Sequence, residues 1–275
     1  MALVLGSGNP LRRMPVAYVN RGLIMACVLA FVSGIRPEPF AFVPAYFYGT
    51  VELAGPLPTW DVWRGLVGHV LVHGDWVHLA TNMVALWVFG DNVEDAMGHL
   101  RYLAFFLLCA VAGALVEGGM TAEPMRPLVG ASGAISGVMG AYLLLHPRAK
   151  ILVLVMFRFP VLLPASLVVA ADLAVNIVMA LTPGAAAGET AWGAHLGGFA
   201  AGMLLLVPFK RAGVRLLLPA SAYPPVPFPR LQTVLLDFFP PPDPLGQSGG
   251  ARERLVVAAK ATAYFGLIAV LFWTL

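Results

Sequence analysis

Apolar runs of membrane-spanning length recur along the chain, separated by short polar or proline-rich connections. A helix needs about 20 residues to cross the hydrocarbon core of a bilayer. Runs near this length lie at residues 16–35, 77–97, 100–118, 131–146, 161–182, 191–208 and 254–275. The pattern predicts an all-α polytopic membrane protein, with a six-helix core and a C-terminal seventh transmembrane helix. Residues 36–76, between the first two runs, are rich in proline and aromatics and include Trp60, Trp63 and Arg64. Trp and Arg are comfortable at headgroup level, so this stretch reads as a structured interfacial loop. From 216 to 252, Pro224-Pro225, Pro240-Pro241-Pro242 and Gly249-Gly250 mark an extended linker. The organisation expected is a cytoplasmic segment 1–15, a core 16–208, a cytoplasmic proline-rich linker 209–253 and a helix 254–275.

Basic residues set the orientation. Arg12, Arg13 and Arg21 flank the first run on its N-terminal side, Arg101 follows the second, and Arg148 and Lys150 follow the fourth. Lys210, Arg211 and Arg215 follow the sixth, and Arg252 and Arg254 precede the seventh. With seven crossings all of these share one side, which the positive-inside bias makes the cytoplasm. Arg36, Arg64 and Arg126 fall outside it, and six spans plus a re-entrant tail is the rival topology. Met1–Pro10 lacks the charged segment and short apolar core of a cleavable signal, so the first helix is expected to do the targeting. The expected location is a bacterial cytoplasmic membrane, as a multi-pass protein with its N-terminus inside.

Composition agrees. Of the 275 residues 59% are hydrophobic and 11% charged, against roughly 25% charged in soluble domains. The net charge of +3 is too small to point to nucleic acid. Cys27 and Cys109 lie far apart in apolar runs, where a thiol behaves as a small hydrophobe.

Polar side chains inside such runs cost free energy unless they are used. Gly130-Ala131-Ser132-Gly133 opens the fourth run, and Ala194-His195-Leu196-Gly197-Gly198 lies in the sixth. Both predicted helices run from outside to inside, which puts Ser132 and His195 near the same end. From Ser132 to Pro147 is only about 14 residues, or roughly 21 Å, against a core of about 30 Å. Ser132 therefore lies roughly 10 Å below the outer surface, with a non-helical segment dipping to meet it. Irregular backbone at that depth is tolerated where it lines protein or a wet cavity. Gly133, Ser136, Gly137 and Gly140 form one small-residue stripe, and Ala194, Gly198, Ala201 and Gly202 a second. Such faces let helices approach closely, bringing His195 within reach of the Ser132 hydroxyl. A serine needs an adjacent base to become a nucleophile. Neither helix carries an acid, so the pair reads as a Ser–His dyad.

His78 and Asn82, four apart at the start of the second run, share a helix face and are candidate donors to an oxyanion, worth about 3–4 kcal/mol each in soluble proteases. His69 and His73 also share a face, which leaves a metal site open. No carboxylate accompanies them in an H-E-x-x-H arrangement, and hydrogen bonds to loop carbonyls suit them better; no metal or other cofactor is expected.

These residues together resemble the rhomboid family of intramembrane serine proteases. The likeness runs from about Trp60 to Pro208. It rests on Trp63-Arg64, on His69, His73, His78 and Asn82, and on the stretch Phe89-Gly90-Asp91-Asn92-Val93-Glu94-Asp95 leading into Gly98-His99-Leu100-Arg101-Tyr102. It continues through Gly130-Ala131-Ser132-Gly133 and Ala194-His195-Leu196-Gly197-Gly198, with Gly202 beyond. The resemblance implies Ser132 as nucleophile and His195 as general base. It implies an oxyanion hole of His78, Asn82 and the Ser132 N–H, with His69, His73, Trp63, Arg64, Gly130, Gly133, Gly198 and Gly202 as structural support. The reaction implied is hydrolysis of a peptide bond in a membrane-anchored protein through an acyl-enzyme. The partners implied are transmembrane protein substrates and the lipid bilayer. Some members carry a tyrosine four residues after the nucleophile that stacks on the base; this chain has Ser136 there. The fifth run carries Asp172 and Asn176 one turn apart, read as bonding each other toward the bundle interior, or else as altering lateral access of substrate. A catalytically silent relative that binds membrane helices is the alternative function. A transporter would need more charge along a central path than Asp172 and Glu117 supply.

Overall fold

Hydropathy and length place most of the helices. The computed structural model describes residues 2–7, 9–50, 59–155, 159–182 and 190–219. In chain order they form β1 (Ala2–Ser7), α1 (Tyr18–Val32), α2 (Pro44–Tyr48), α3 (Thr59–Gly68), a 3-10 turn (His69–Leu71), α4 (Trp76–Met97), α5 (His99–Met120), α6 (Ser132–Leu145), β2 (Lys150–Val155), β3 (Phe159–Pro164), α7 (Ala165–Leu181) and α8 (Trp192–Phe209). The fold is mostly helical, and α1, α4, α5, α6, α7 and α8 occupy the first six predicted runs. Helices α5 and α8 are long and apolar enough to cross a bilayer, while α1, α6 and α7 are shorter apolar helices. The predicted seventh helix, 254–275, and most of the linker lie outside the described residues.

Helix α8 packs mainly on α5 and α6, and glycine decides how closely. An added Cβ at Gly198 would lie 1.8 Å from the Gly133 carbonyl oxygen, and one at Gly202 would lie 2.0 Å from that of Gly137. On the other face, a Cβ at Gly113 of α5 would come within 2.6 Å of the Ala194 oxygen. The backbones touch directly, with no side chain between them. Gly133 meets Ala194 and Gly198, while Gly140 meets Phe199 and Met203, so α6 and α8 run parallel with their N-termini at one end.

The polar segment Phe89–Asp95 works at the opposite end. The Glu94 carboxylate is fully buried and accepts the N–H groups of Val19 (3.0 Å) and Asn20 (2.7 Å) in the first turn of α1. Helix α1 has no side-chain cap of its own, so an acid from α4 satisfies its orphan donors and complements its dipole. His99 Nδ1 meets the same carboxylate at 2.5 Å. Asn20 donates to Leu86 O and Asp91 and accepts from the Tyr102 hydroxyl. Gly90 makes room for it, since a Cβ there would sit 2.0 Å from Asn20 Oδ1. Asp95 takes the backbone N–H groups of Arg13 and Met14.

Three features differ from the sequence reading. Residues 2–7, expected as part of a simple N-terminal segment, pair antiparallel with β2, and β2 pairs with β3 in a sheet of order β1-β2-β3. The core is thus not wholly helical. Ile151 and Val153 turn into the core, so the alternation is that of a half-buried strand. The fifth helix begins at Ala165 rather than 161. Pro160 and Pro164 disfavour the helical conformation in the residues before them, and Phe159–Pro164 completes the sheet instead. Finally, the expected linker does not begin at 209. Leu217 and Leu218 donate to the Leu144 and Leu145 carbonyls, capping the end of α6.

Candidate active site

At the end where α4, α6 and α8 begin lies an open cavity of about 860 Å³. His78 and Asn82 of α4, Ser132 and Ser136 of α6, Asp172 of α7 and His195 of α8 all line it. The chain brings them together by aiming three helix N-termini at one place. Each carries N–H groups without intrahelical acceptors and the positive end of a helix dipole, which suits a site where negative charge develops.

Each N-terminus is held locally. Asp75 caps α4, accepting from Val77 N (2.7 Å) and His78 N (2.8 Å). Ser132 is the first residue of α6, and the strand-like segment ahead of it is tied to the long loop. Phe42 and Leu128 exchange both backbone hydrogen bonds, and Gly130 N–H donates to the His69 carbonyl at 2.9 Å. Gly130 has φ +104°, and a Cβ on it would lie 2.5 Å from His78 Nε2. The His78 ring therefore rests against the backbone leading to Ser132. On α8, the Ala194 N–H donates to Glu117 Oε2 at 3.2 Å, an acid of α5 standing in for a cap.

The other supporting residues sort by position. His69 is buried and its Nδ1 lies 3.1 Å from the Gly65 carbonyl. Burial pushes its pKa down to about 4, against a smaller opposing pull from the Gly65 and Leu66 backbone. His73 is also buried and packs edge-on against His78 at 5.2 Å. His69 and His73 thus face different partners. Asn82 donates one Nδ2 hydrogen to the His78 carbonyl at 2.8 Å, leaving its second hydrogen for another acceptor. Trp63 and Arg64 of α3 stand apart from the cavity. Trp63 is 62% exposed and contacts Phe47 edge-on, while the Arg64 guanidinium lies 5.4 Å from the Phe40 ring. Gly133, Gly198 and Gly202 are the contact points of α6 and α8 described above. Ser136, expected within the small-residue stripe, lines the cavity.

A rhomboid domain matches residues 59–212, more than half of the chain. This chain belongs to the rhomboid family. Rhomboid protein 1, mitochondrial, of Saccharomyces cerevisiae is 34% identical over 148 residues, covering 50% of this chain and 40% of that protein. RHOMBOID-like protein 12, mitochondrial, of Arabidopsis thaliana is 25% identical over 166 residues, 54% of this chain and 47% of that one. Rhomboid protease GluP of Bacillus subtilis is 37% identical over 81 residues, 30% and 15% respectively. The match spans under half the length of each of these relatives. Rhomboid membership makes this an integral membrane protein of rhomboid type. The relatives include both mitochondrial and bacterial proteins, so they do not support the expected bacterial cytoplasmic membrane over another membrane.

One contact escaped the sequence reading. Asp172 and Asn176 of α7 do bond each other, Nδ2 to Oδ2 at 3.1 Å. Asn176 also reaches across to α8, its Oδ1 lying 2.6 Å from His195 Nδ1. The signal was present, since an amide in an apolar helix demands a partner. The partner itself was not legible.

Proposed function

We propose that this rhomboid protein is an intramembrane serine endopeptidase that cleaves transmembrane segments of membrane-anchored proteins. The observation that carries the reading is the convergence of Ser132, His195, His78 and Asn82 on one cavity at three helix N-termini. Ser132 Oγ attacks the scissile carbonyl while His195 Nε2 takes its proton. The carbonyl oxygen becomes an oxyanion, held by the Ser132 N–H, the His78 ring and the free Asn82 Nδ2 hydrogen. His195 then gives the proton to the leaving amine, and an ester joins the substrate's acyl half to Ser132. Water entering the cavity, again deprotonated by His195, hydrolyses that ester. The direct α6–α8 backbone contact supports the pairing of nucleophile and base. The same scaffold without activity would bind membrane helices without cutting them.

The test is the full chain in phosphatidylcholine–phosphatidylglycerol vesicles with a fluorogenic transmembrane peptide. Cleavage by the native chain that is lost in Ser132→Ala is the expected result, as is fluorophosphonate labelling of Ser132 that is lost in His195→Ala. A native chain that binds the peptide without cutting it would assign the silent reading instead.

A further inference from the structure

The base has a built-in orienting device on a neighbouring helix. His195 Nδ1 lies 2.6 Å from Asn176 Oδ1. The other end of that amide is committed: Nδ2 donates to the Asp172 main-chain carbonyl (2.8 Å) and to Asp172 Oδ2 (3.1 Å). Turning the amide over would set Oδ1 against two acceptors, so Asp172 dictates which atom of Asn176 faces the imidazole. An acceptor facing Nδ1 requires Nδ1 to carry the ring hydrogen, and the neutral ring then has its lone pair on Nε2. The opposite tautomer would oppose two lone pairs around Asn176, which is 4% exposed, disfavouring that form by about 10- to 100-fold.

Other contacts do not do this work. Trp192 meets the His195 ring edge-on at 6.0 Å and offers no acceptor to Nδ1. The position four residues after the nucleophile is Ser136, which has no ring to stack on the base. Were Asp172 and Asn176 present only to satisfy each other, Asn176 would have no reason to spend its oxygen on α8.

We propose that Asn176 is a positioning residue for the base: its Oδ1, locked in orientation by Asp172, holds His195 with hydrogen on Nδ1 and Nε2 open to the Ser132 proton. The proposal rests on the reading of Ser132 and His195 as nucleophile and base. It gives the Ser132–His195 dyad of α6 and α8 a support on α7, made by Asn176 and anchored by Asp172.

The test uses the full chain in the same vesicles with the same peptide. Asn176→Leu removes the acceptor at similar volume and is expected to lower kcat about 10- to 100-fold with KM within about twofold, since orientation of a general base acts on the chemical step. Asn176→Asp combined with Asp172→Asn keeps an acceptor toward Nδ1 and supplies a donor to the second carboxylate oxygen, and recovers about tenfold of that loss. Nitrogen-15 histidine NMR of the unsubstituted protein is expected to show hydrogen on Nδ1 of His195. That measurement decides the matter even if Asn176→Leu fails to fold. Native kcat in Asn176→Leu, no recovery in the Asn176→Asp, Asp172→Asn pair, or hydrogen on Nε2 of the native ring would each overturn the proposal. A native chain that does not cleave, or a Ser132→Ala chain that does, would overturn the underlying protease reading instead.

Discussion

Gly198→Ala tests whether backbone contact between α6 and α8 holds the site together. A Cβ at Gly198 would lie 1.8 Å from the Gly133 oxygen, and such contacts are essentially never closer than 3.0 Å. The methyl group must therefore push α8 away from α6 by at least 1.2 Å. No flexible side chain can yield, because both surfaces are main chain. Overpacking a core by one such group costs about 1–3 kcal/mol, and a rigid contact belongs at the upper end. At about 2–4 °C per kcal/mol for a chain of this size, a loss of about 3 kcal/mol lowers Tm by about 6–12 °C. On the proposed protease reading cleavage suffers more, since a misplacement of about 1 Å costs about 100-fold. Thermal unfolding in detergent micelles and peptide cleavage in vesicles report the two effects. Gly22→Ala in α1 is the control: nothing lies within 4 Å of its added Cβ, so Tm should hold or rise slightly. A Gly198→Ala chain that melts and cleaves like the native one would refute the contact as the determinant of site geometry.

Three further outcomes follow from the same structure. Gly130→Ala places a Cβ 2.5 Å from His78 Nε2 at a backbone φ of +104°, so cleavage should fall about 100-fold as the His78 ring is displaced, and thermal unfolding should show a stability loss of about 2 kcal/mol from strain. Glu94→Gln removes a buried carboxylate that accepts from Val19, Asn20 and His99; thermal unfolding should show a loss of about 2–3 kcal/mol. His69 is held neutral by burial, with its pKa at about 4 against the ordinary 6.5. The unfolded chain therefore binds this proton first, so stability is full above pH 6.5 and falls as pH drops toward 4, by about 3 kcal/mol. His69→Gln should flatten that decline, and unfolding titrations of the two chains side by side would show no difference if the reasoning is wrong.

Hydropathy alone determined where six helices lie, because in lipid each must satisfy its own backbone and its length is set by the bilayer. The small-residue stripes foretold the α6–α8 contact for a similar reason: without Cβ atoms, only close approach remains to hold helices together. Ser132, His195, His78 and Asn82 stood out as candidates because polar groups in apolar helices need a use, and the fold gathers all four around one cavity. The rest depended on partners distant in sequence. Residues 2–7 become a strand only because β2, far along the chain at Lys150–Val155, offers them a ladder. The N-terminus of α1 is satisfied by Glu94, which no local capping signal announces. Asn176 and His195 are 19 residues apart on different helices, and nothing in either helix says which side chain the other will meet. Local sequence sets how a segment lies in the membrane, whereas the rotation of one helix against another, and with it the side chain that meets the His195 ring, is decided by packing across the whole bundle.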